Sequence, residues 1–444
     1  MTSKTTVIIW ADTEVKHVLM VQVEKGWSLP EVSEGPHNST NLQALQKAIK
    51  DQLGYKVALG RQLLKNRDEH RGLTAYVYEA QLLQEDIQHA RWFKKEDFTG
   101  TITDDKYVKV LNAWFDETEI PNLRAPWFQG HFYQKAEAWI DSEVRQAGLS
   151  ISGDIQQIKA TDYSLVMLVP TIGGNLYFKA TGTAARYEAS ISQYLDKKYP
   201  GKSTAILAVN ERTGWFLMND MGGSPLRIVK DKEIWQQAIL EYAKFQIDEI
   251  KSSHKLIQIG VPDRRISKLK DDINMHLEGM CDTGLSPEQK EKVMKLQPEL
   301  LEMCDELEAL LPIYTLDHGD LHSANIQLVN ESYVFLDWGD AVVTHPFFST
   351  RVFWNSIFEL VETESEWIAM IDEFRPIYLE PWTEFAPMEK LEKALRMSDQ
   401  LGCIHRALSW YLHLTPTVED KSDYNKPSQW LQALLEEREF ASAK

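Results

Sequence analysis

The stretch between His318 and Asp340 restricts the folding of this chain more than any other segment. It reads His318-Gly319-Asp320-Leu321-His322-Ser323-Ala324-Asn325, then Ile326-Gln327-Leu328-Val329, Asn330-Glu331-Ser332 and Tyr333-Val334-Phe335-Leu336, and ends in Asp337-Trp338-Gly339-Asp340. The two apolar runs are too short for helices and the residues between them suit a turn, so the spacing predicts a strand-turn-strand hairpin. A hairpin returns the chain to its own start. Asp337 therefore comes back beside Asn325, twelve residues earlier. A carboxylate and an amide oxygen then converge from two backbone elements near a second carboxylate, Asp320. Gly339 frees the backbone just after Asp337.

Oxygen donors at this spacing suit a definite task. Phosphoryl transfer from ATP requires charge on the β- and γ-phosphates to be neutralised by metal, and the acceptor hydroxyl to be oriented and relieved of its proton. Asp320 and Asn325 have the D-x-x-x-x-N spacing of a kinase catalytic loop, in which the Asp accepts the hydroxyl proton and the Asn offers an amide oxygen to magnesium. Magnesium prefers such hard donors. An isolated Asp or His most often caps a turn or satisfies a local hydrogen bond, and it is the whole set that departs from this. His-Gly-Asp-Leu-His-x-x-Asn followed by Asp-Trp-Gly-Asp resembles the signature of the aminoglycoside phosphotransferase and choline kinase family. The resemblance implies a protein-kinase-like two-lobed fold. It also implies Asp320 as catalytic base, His318 shaping the catalytic loop, and Asn325 and Asp337 holding Mg2+. His322 and Asp340 belong to the motif, and a structural role suits them as well as a chemical one.

A kinase of this type needs a strand lysine for the nucleotide phosphates and a helix glutamate to pair with it. Asn175-Leu176-Tyr177-Phe178-Lys179 is a strand ending in lysine, and Glu188 follows nine residues later in a helical stretch. No G-x-G-x-x-G occurs. The turn Thr161-Asp162-Tyr163-Ser164 takes its place, with Ser164 offering a hydroxyl and backbone N–H to phosphate. Trp215 to Gly223 resembles the family's hinge, with Met218 and Met221 as adenine contacts. The alternatives are an ordinary Lys and Glu, a plain β-turn and a strand-to-helix linker.

The rest of the chain supplies context. Pro121-Asn122-Leu123-Arg124-Ala125-Pro126 is the best linker. It divides residues 1–120 from a kinase-like domain over 126–444, with a β-rich lobe at about 150–221 and a helical lobe at about 222–444. Strands are expected at Thr6–Trp10, His17–Val23 and Leu73–Leu82, a polar turn at Ala11–Glu14, a loop over Gly26–Ser39 and a helix from Leu42 to Leu53 that Gly54 stops. This first domain is a smaller α/β unit that resembles a Nudix domain without its metal box. Glu31-Val32 replaces the glycine pair after Trp27-Ser28-Leu29-Pro30, and of three helix carboxylates only Asp51 remains, so no Nudix hydrolysis is expected. The overall expectation is an α+β chain.

The formal charge of -18 over 444 residues excludes general nucleic-acid binding, which needs a basic footprint. It would steer a cationic acceptor, although many proteins are acidic for solubility alone. Acidic and aromatic residues of the helical lobe, among them Glu364, Glu366, Trp367, Asp372 and Trp382, give that acceptor a favourable surface, and helical spacing makes most of them a solvated face. The three cysteines have no metal or disulfide spacing. With no secretory h-region and no long apolar run, a cytoplasmic enzyme away from membranes is expected. The function expected is ATP-dependent phosphorylation of a small-molecule hydroxyl (aminoglycoside, amino alcohol or sugar-like). The alternative is a pseudokinase that binds nucleotide or metabolite and regulates.

Overall fold

A computed structural model describes the chain apart from residues 1–2, 12–15, 25, 35–40, 69–72, 85–89, 99–104 and 443–444. Much of the expected turn after Ala11 and of the loop ending at Ser39 lies outside the described residues. The chain forms two compact units, one of residues 1–182 with Phe216–Met218 and one of 183–215 with 219–444.

In the first unit, β1 (Ser3–Trp10), β2 (Val18–Val23), β3 (Gly26–Ser28), β4 (Glu31–Glu34), β5 (Val57–Asp68), β6 (Leu73–Leu82) and β7 (Ala90–Phe93) form one sheet, with α1 (Gln43–Leu53) and α2 (Asp105–Asp116). The strand order is β3-β2-β1-β6-β5, with β4 on β1 and β7 on β2. β1 and β6 run parallel and the other pairs are antiparallel. Gly54 takes a left-handed φ of 78° and ends α1, as its position predicts. The long strand β5 and helix α2 are not marked by a clear period in the sequence.

The same unit holds α3 (Phe132–Gln146) and the meander β8 (Gln156–Ala160), β9 (Ser164–Thr171) and β10 (Gly174–Thr181), with Phe216–Met218 beyond β10. The compact division thus falls after Gly182 rather than at the Pro121–Pro126 linker. Buried Gln157 gives a reason. Its amide donates to Leu59 O and Tyr133 Oη at 2.9 and 2.6 Å and accepts from Leu59 N at 2.6 Å. Gln46 adds two more bonds to Gln157. A buried amide on β8 satisfied by the backbone of β5 ties the two sheets together.

The second unit contains α4 (Tyr187–Lys198), β11 (Ile206–Asn210), the ends of β12 (Trp215–Asn219), β13 (Ser224–Pro225), α5 (Lys232–Glu249), α6 (Ser253–Gln258), α7 (Ile266–Cys281) and α8 (Pro287–Leu310). Then come β14 (Thr315–Asp317), β15 (Ile326–Val329), β16 (Ser332–Phe335), β17 (Val342–Thr344), α9 (Thr350–Ser356), α10 (Glu364–Leu379), α11 (Met388–Leu408) and α12 (Lys426–Ser442). Ser286 caps α8 in a capping box with Gln289, and Pro287 opens the helix, where its missing N–H costs nothing. The core is aromatic: Trp235, Tyr242, Phe347, Phe353, Phe374, Tyr378 and Trp382 are all fully buried. Each removes roughly 150–250 Å² from water, which fixes the helices that carry the short strands. Trp382 is therefore core, and Glu366 is the capping partner of Thr363. Among the described residues no helix is long and apolar enough to cross a membrane.

Candidate active site

The expected hairpin forms. Ile326 pairs with Phe335 and Val329 with Ser332, so the turn is only Asn330-Glu331, with φ of 46° and 66°. Positive φ at both central residues is the tight turn whose twist matches the flanking strands. Ser332, expected in the turn, starts the return strand. The Leu336 N–H then donates to Asn325 O at 2.8 Å, which sets Asp337 one residue beyond Asn325's partner. Asp337 itself has φ 62°, ψ 65°, a left-handed conformation uncommon away from glycine.

The loop before the hairpin is held at several points. His318 is fully buried and its Nε2 bonds Leu336 O at 2.8 Å, while Nδ1 accepts from Asp320 N at 3.4 Å. Its ring lies 4.6 Å from that of Trp338. Burial holds it below the ordinary histidine range, against the nearby Asp320 and Asp337 carboxylates, so it is a neutral tie between the two halves of the motif. Gly319 has φ 76°, and a Cβ there would lie 2.0 Å from Asp340 O, so only glycine fits. Its N–H donates to Ser349 Oγ at 2.8 Å and to Asp317 Oδ1 at 3.1 Å. Asp317 also accepts from Ser349 N at 3.2 Å and from the Ser349 hydroxyl. Burial pushes its carboxyl up to about 7.

Asn325 donates its amide nitrogen to Asp320 O at 3.0 Å. That bond commits the nitrogen and leaves the amide oxygen to accept elsewhere. An amide oxygen and a carboxylate on adjoining positions are hard donors and fit magnesium. Among the described residues no group of three or more His, Cys, Asp or Glu is placed to hold a metal. An ion here would draw its remaining oxygens from phosphate and water, as magnesium commonly does.

Asp320 keeps a partly exposed side chain, and its Oδ1 lies 3.0 Å from Arg406 Nη2. The same guanidinium reaches Asp340 Oδ2 at 3.1 Å through Nη1. Asp340 thus has a structural partner, and Arg406 comes from α11, more than eighty positions beyond Asp320. His322 Nε2 stands 3.8 Å from Asp320 Oδ2. Ser323 Oγ donates to Glu359 at 2.5 Å, and Ser323 N to Ser356 Oγ at 3.1 Å. Sequence reading misses Arg406, Asp317, Ser349 and Glu359. Only Asp317, next to the motif, had a local signal.

The nucleotide candidates divide between the units. Lys179 lies buried on β10, paired with Val166. Ser164 opens β9, also buried, and its N–H donates to Thr161 Oγ1 at 3.2 Å, so that N–H is already engaged. Met218 is half-buried in the first unit and Met221 half-buried in the second. After Met221, Gly222 and Gly223 have φ of 63° and 80°, and Ser224 pairs with Leu328 of the hairpin. Glu188 is buried on α4, and a Cβ on Gly339 would stand 3.2 Å from its Oε2. Tyr187 Oη donates to Gly339 O at 2.6 Å. The start of α4 therefore rests on the segment after Asp337.

Residues 183–373 match the model of the phosphotransferase enzyme family. The match contains the loop from His318 to Asn325, the hairpin and α4, so the resemblance carried by the motifs holds for this segment, with the kinase-like α+β fold. Similar solved structures include a macrolide 2'-phosphotransferase type I at 12% identity, covering 67% of this chain and 97% of that one, TM-score 0.48. A choline kinase from Cryptosporidium parvum Iowa II has 12% identity, coverages of 68% and 95%, and a TM-score of 0.49. An ethanolamine kinase from Plasmodium vivax has 17% identity, coverages of 76% and 96%, and a TM-score of 0.45. A search of curated proteins finds no match.

Proposed function

We propose, from the premise that residues 183–373 belong to the phosphotransferase enzyme family, that the protein transfers the γ-phosphate of ATP to a hydroxyl group of a small molecule. One observation carries the reading. The bonds Asn325 Nδ2 to Asp320 O, Leu336 N to Asn325 O and His318 Nε2 to Leu336 O tie the Asp320–Asn325 loop to the segment that carries Asp337. Asp320 orients the acceptor hydroxyl and takes its proton. Asn325 and Asp337 would hold Mg2+, which would neutralise phosphate charge. Because charge develops mainly on phosphate oxygens in a loose transition state, positioning matters more than strong basicity, and an arginine on Asp320 is compatible with this role.

The nucleotide roles of Lys179, Glu188, Ser164, Met218 and Met221 remain proposals, each open to its own substitution. His318 is a positioning residue and not a proton carrier, since both ring nitrogens are engaged. Incubation with radiolabelled ATP, Mg2+ and a panel of amino alcohols, sugars, aminoglycosides and hydroxy acids tests the reading. Label is expected on an acceptor, and Asp337→Ala is expected to abolish it. Nucleotide binding without transfer to any acceptor would favour a regulatory binder.

A further inference from the structure

The net charge argues for a cationic acceptor, but Arg406, paired with Asp320, and Arg264, near Asp340, argue otherwise. At physiological salt, exposed charges more than about 8 Å apart are largely screened from one another, so nearby groups decide recognition. Arg406 is 5% exposed, and its Nε and Nη1 are buried without a hydrogen-bond partner, although Nη1 lies 3.1 Å from Asp340. Arg264, which is half-buried, donates through Nη1 to Ser409 Oγ, the residue that caps α11 three positions beyond Arg406. Among the described residues no carboxylate lies within 4.0 Å of Arg264, and its Nε and Nη2 make no hydrogen bond. His405, 4% exposed, has an Nε2 that is also buried without a partner.

The groups acting on Arg264 are Tyr187, Asp340, Asp272 and Arg406, and burial opposes its charge. Asp340 and Asp320 are already paired with Arg406, and Asp272 is not within ion-pair distance of Arg264. A half-buried guanidinium whose Nε and Nη2 have no protein partner is built for a carboxylate or phosphate. The α11 dipole does not occupy these donors. The chain continues at Ser409 into a π-helical turn, and a helix end offers only a partial charge.

We infer that the acceptor carries an anionic group, carboxylate or phosphate, which Arg264 receives while Asp320 holds the hydroxyl. This rests on the phosphotransferase reading above. The test uses matched hydroxyl compounds with Mg2+-ATP: gluconate, glucose and glucosamine, and glycerate, glycerol phosphate, glycerol and ethanolamine. An acidic member is expected to be phosphorylated, and comparing glycerate with glycerol phosphate identifies which anion is used. In Arg264→Gln, KM for that compound should rise roughly ten- to hundredfold, as for loss of charge-assisted bonds, with kcat within about twofold. Arg264→Lys should recover part of the loss, and if Arg264→Gln fails to fold, the Lys variant carries the comparison. Phosphorylation of only neutral or basic members, or an unchanged KM in a folded Arg264 variant, overturns the inference and leaves the phosphotransferase intact. Phosphorylation of no member overturns both.

Discussion

Two arginine–carboxylate clusters, one in each compact unit, show how similar ingredients reach opposite ends. In the first unit Arg61 grips buried Glu79 through Nε at 2.8 Å and Nη2 at 3.0 Å, and Trp114 Nε1 adds a bond at 3.0 Å. Glu117 binds Arg61 at 3.0 Å and Arg124 at 2.5 and 2.8 Å. Every carboxylate oxygen there accepts a charged or indole donor. Gly60 makes room, since a Cβ would stand 2.6 Å from Glu79 Cγ. In the second unit Arg406 bridges Asp320 and Asp340 but keeps its buried Nε without a partner, and Asp320 remains partly exposed. A closed network holds a fold together, whereas an open one awaits a ligand.

The comparison breaks most visibly at its two carboxylates. Asp320→Asn should lower kcat by about 10²–10⁴-fold while nucleotide binding and melting temperature stay near wild type, measured by steady-state kinetics and calorimetry. Normal turnover would remove Asp320 from the mechanism. Glu79→Ala should do the reverse. It leaves Arg61 and Trp114 facing a vacated site and should cost about 3–5 kcal/mol in urea unfolding. A loss below about 1 kcal/mol would mean that the closed cluster is not a structural keystone.

The pH dependence sharpens the contrast. Hydrogen bonds from Arg124 hold Glu117 down to about 2, below its ordinary 4.5. Its contribution, roughly 3 kcal/mol by linkage, is present above pH 4.5 and lost as pH falls towards 2. Asp317 has the opposite sign. Burial raises it to about 7, so the folded state keeps a proton that the unfolded chain releases above about 4, and stability falls as pH rises through that window. Unfolding across pH should lose its acid arm in Glu117→Gln and its neutral arm in Asp317→Asn. Unchanged profiles would contradict both assignments. The smallest effect belongs to Asp51, the exposed α1 carboxylate paired with Lys47. Asp51→Asn should change stability by no more than about 0.5 kcal/mol and leave turnover unaltered. A large effect would restore a role to the helix that the degenerate box denies.

What the sequence disclosed, and what it hid, follows from range. The hairpin, the Gly54 stop and the Ser286-Pro287 helix start depend on residues within a few positions of one another, and local chemistry predicts them. Gly319 stood in the motif, but its need for a left-handed φ became visible only with Asp340 O above it. Arg406 lay in a long helical pattern where one arginine looks like any other, and its role depends on a carboxylate in a distant loop. The same holds for Glu79, whose strand pattern gives no hint of Arg61 or Trp114. Gln157, a polar residue inside a strand, joins two sheets that the Pro121–Pro126 linker assigned to separate domains.

Calorimetric binding of ADP with and without Mg2+ tests the convergence of Asn325 and Asp337 most directly. Wild type and Asp320→Asn should both bind more tightly with the metal, and Asn325→Ala and Asp337→Ala should each lose most of that gain while keeping metal-free binding. Metal-enhanced binding that survives both alanine substitutions would contradict the account.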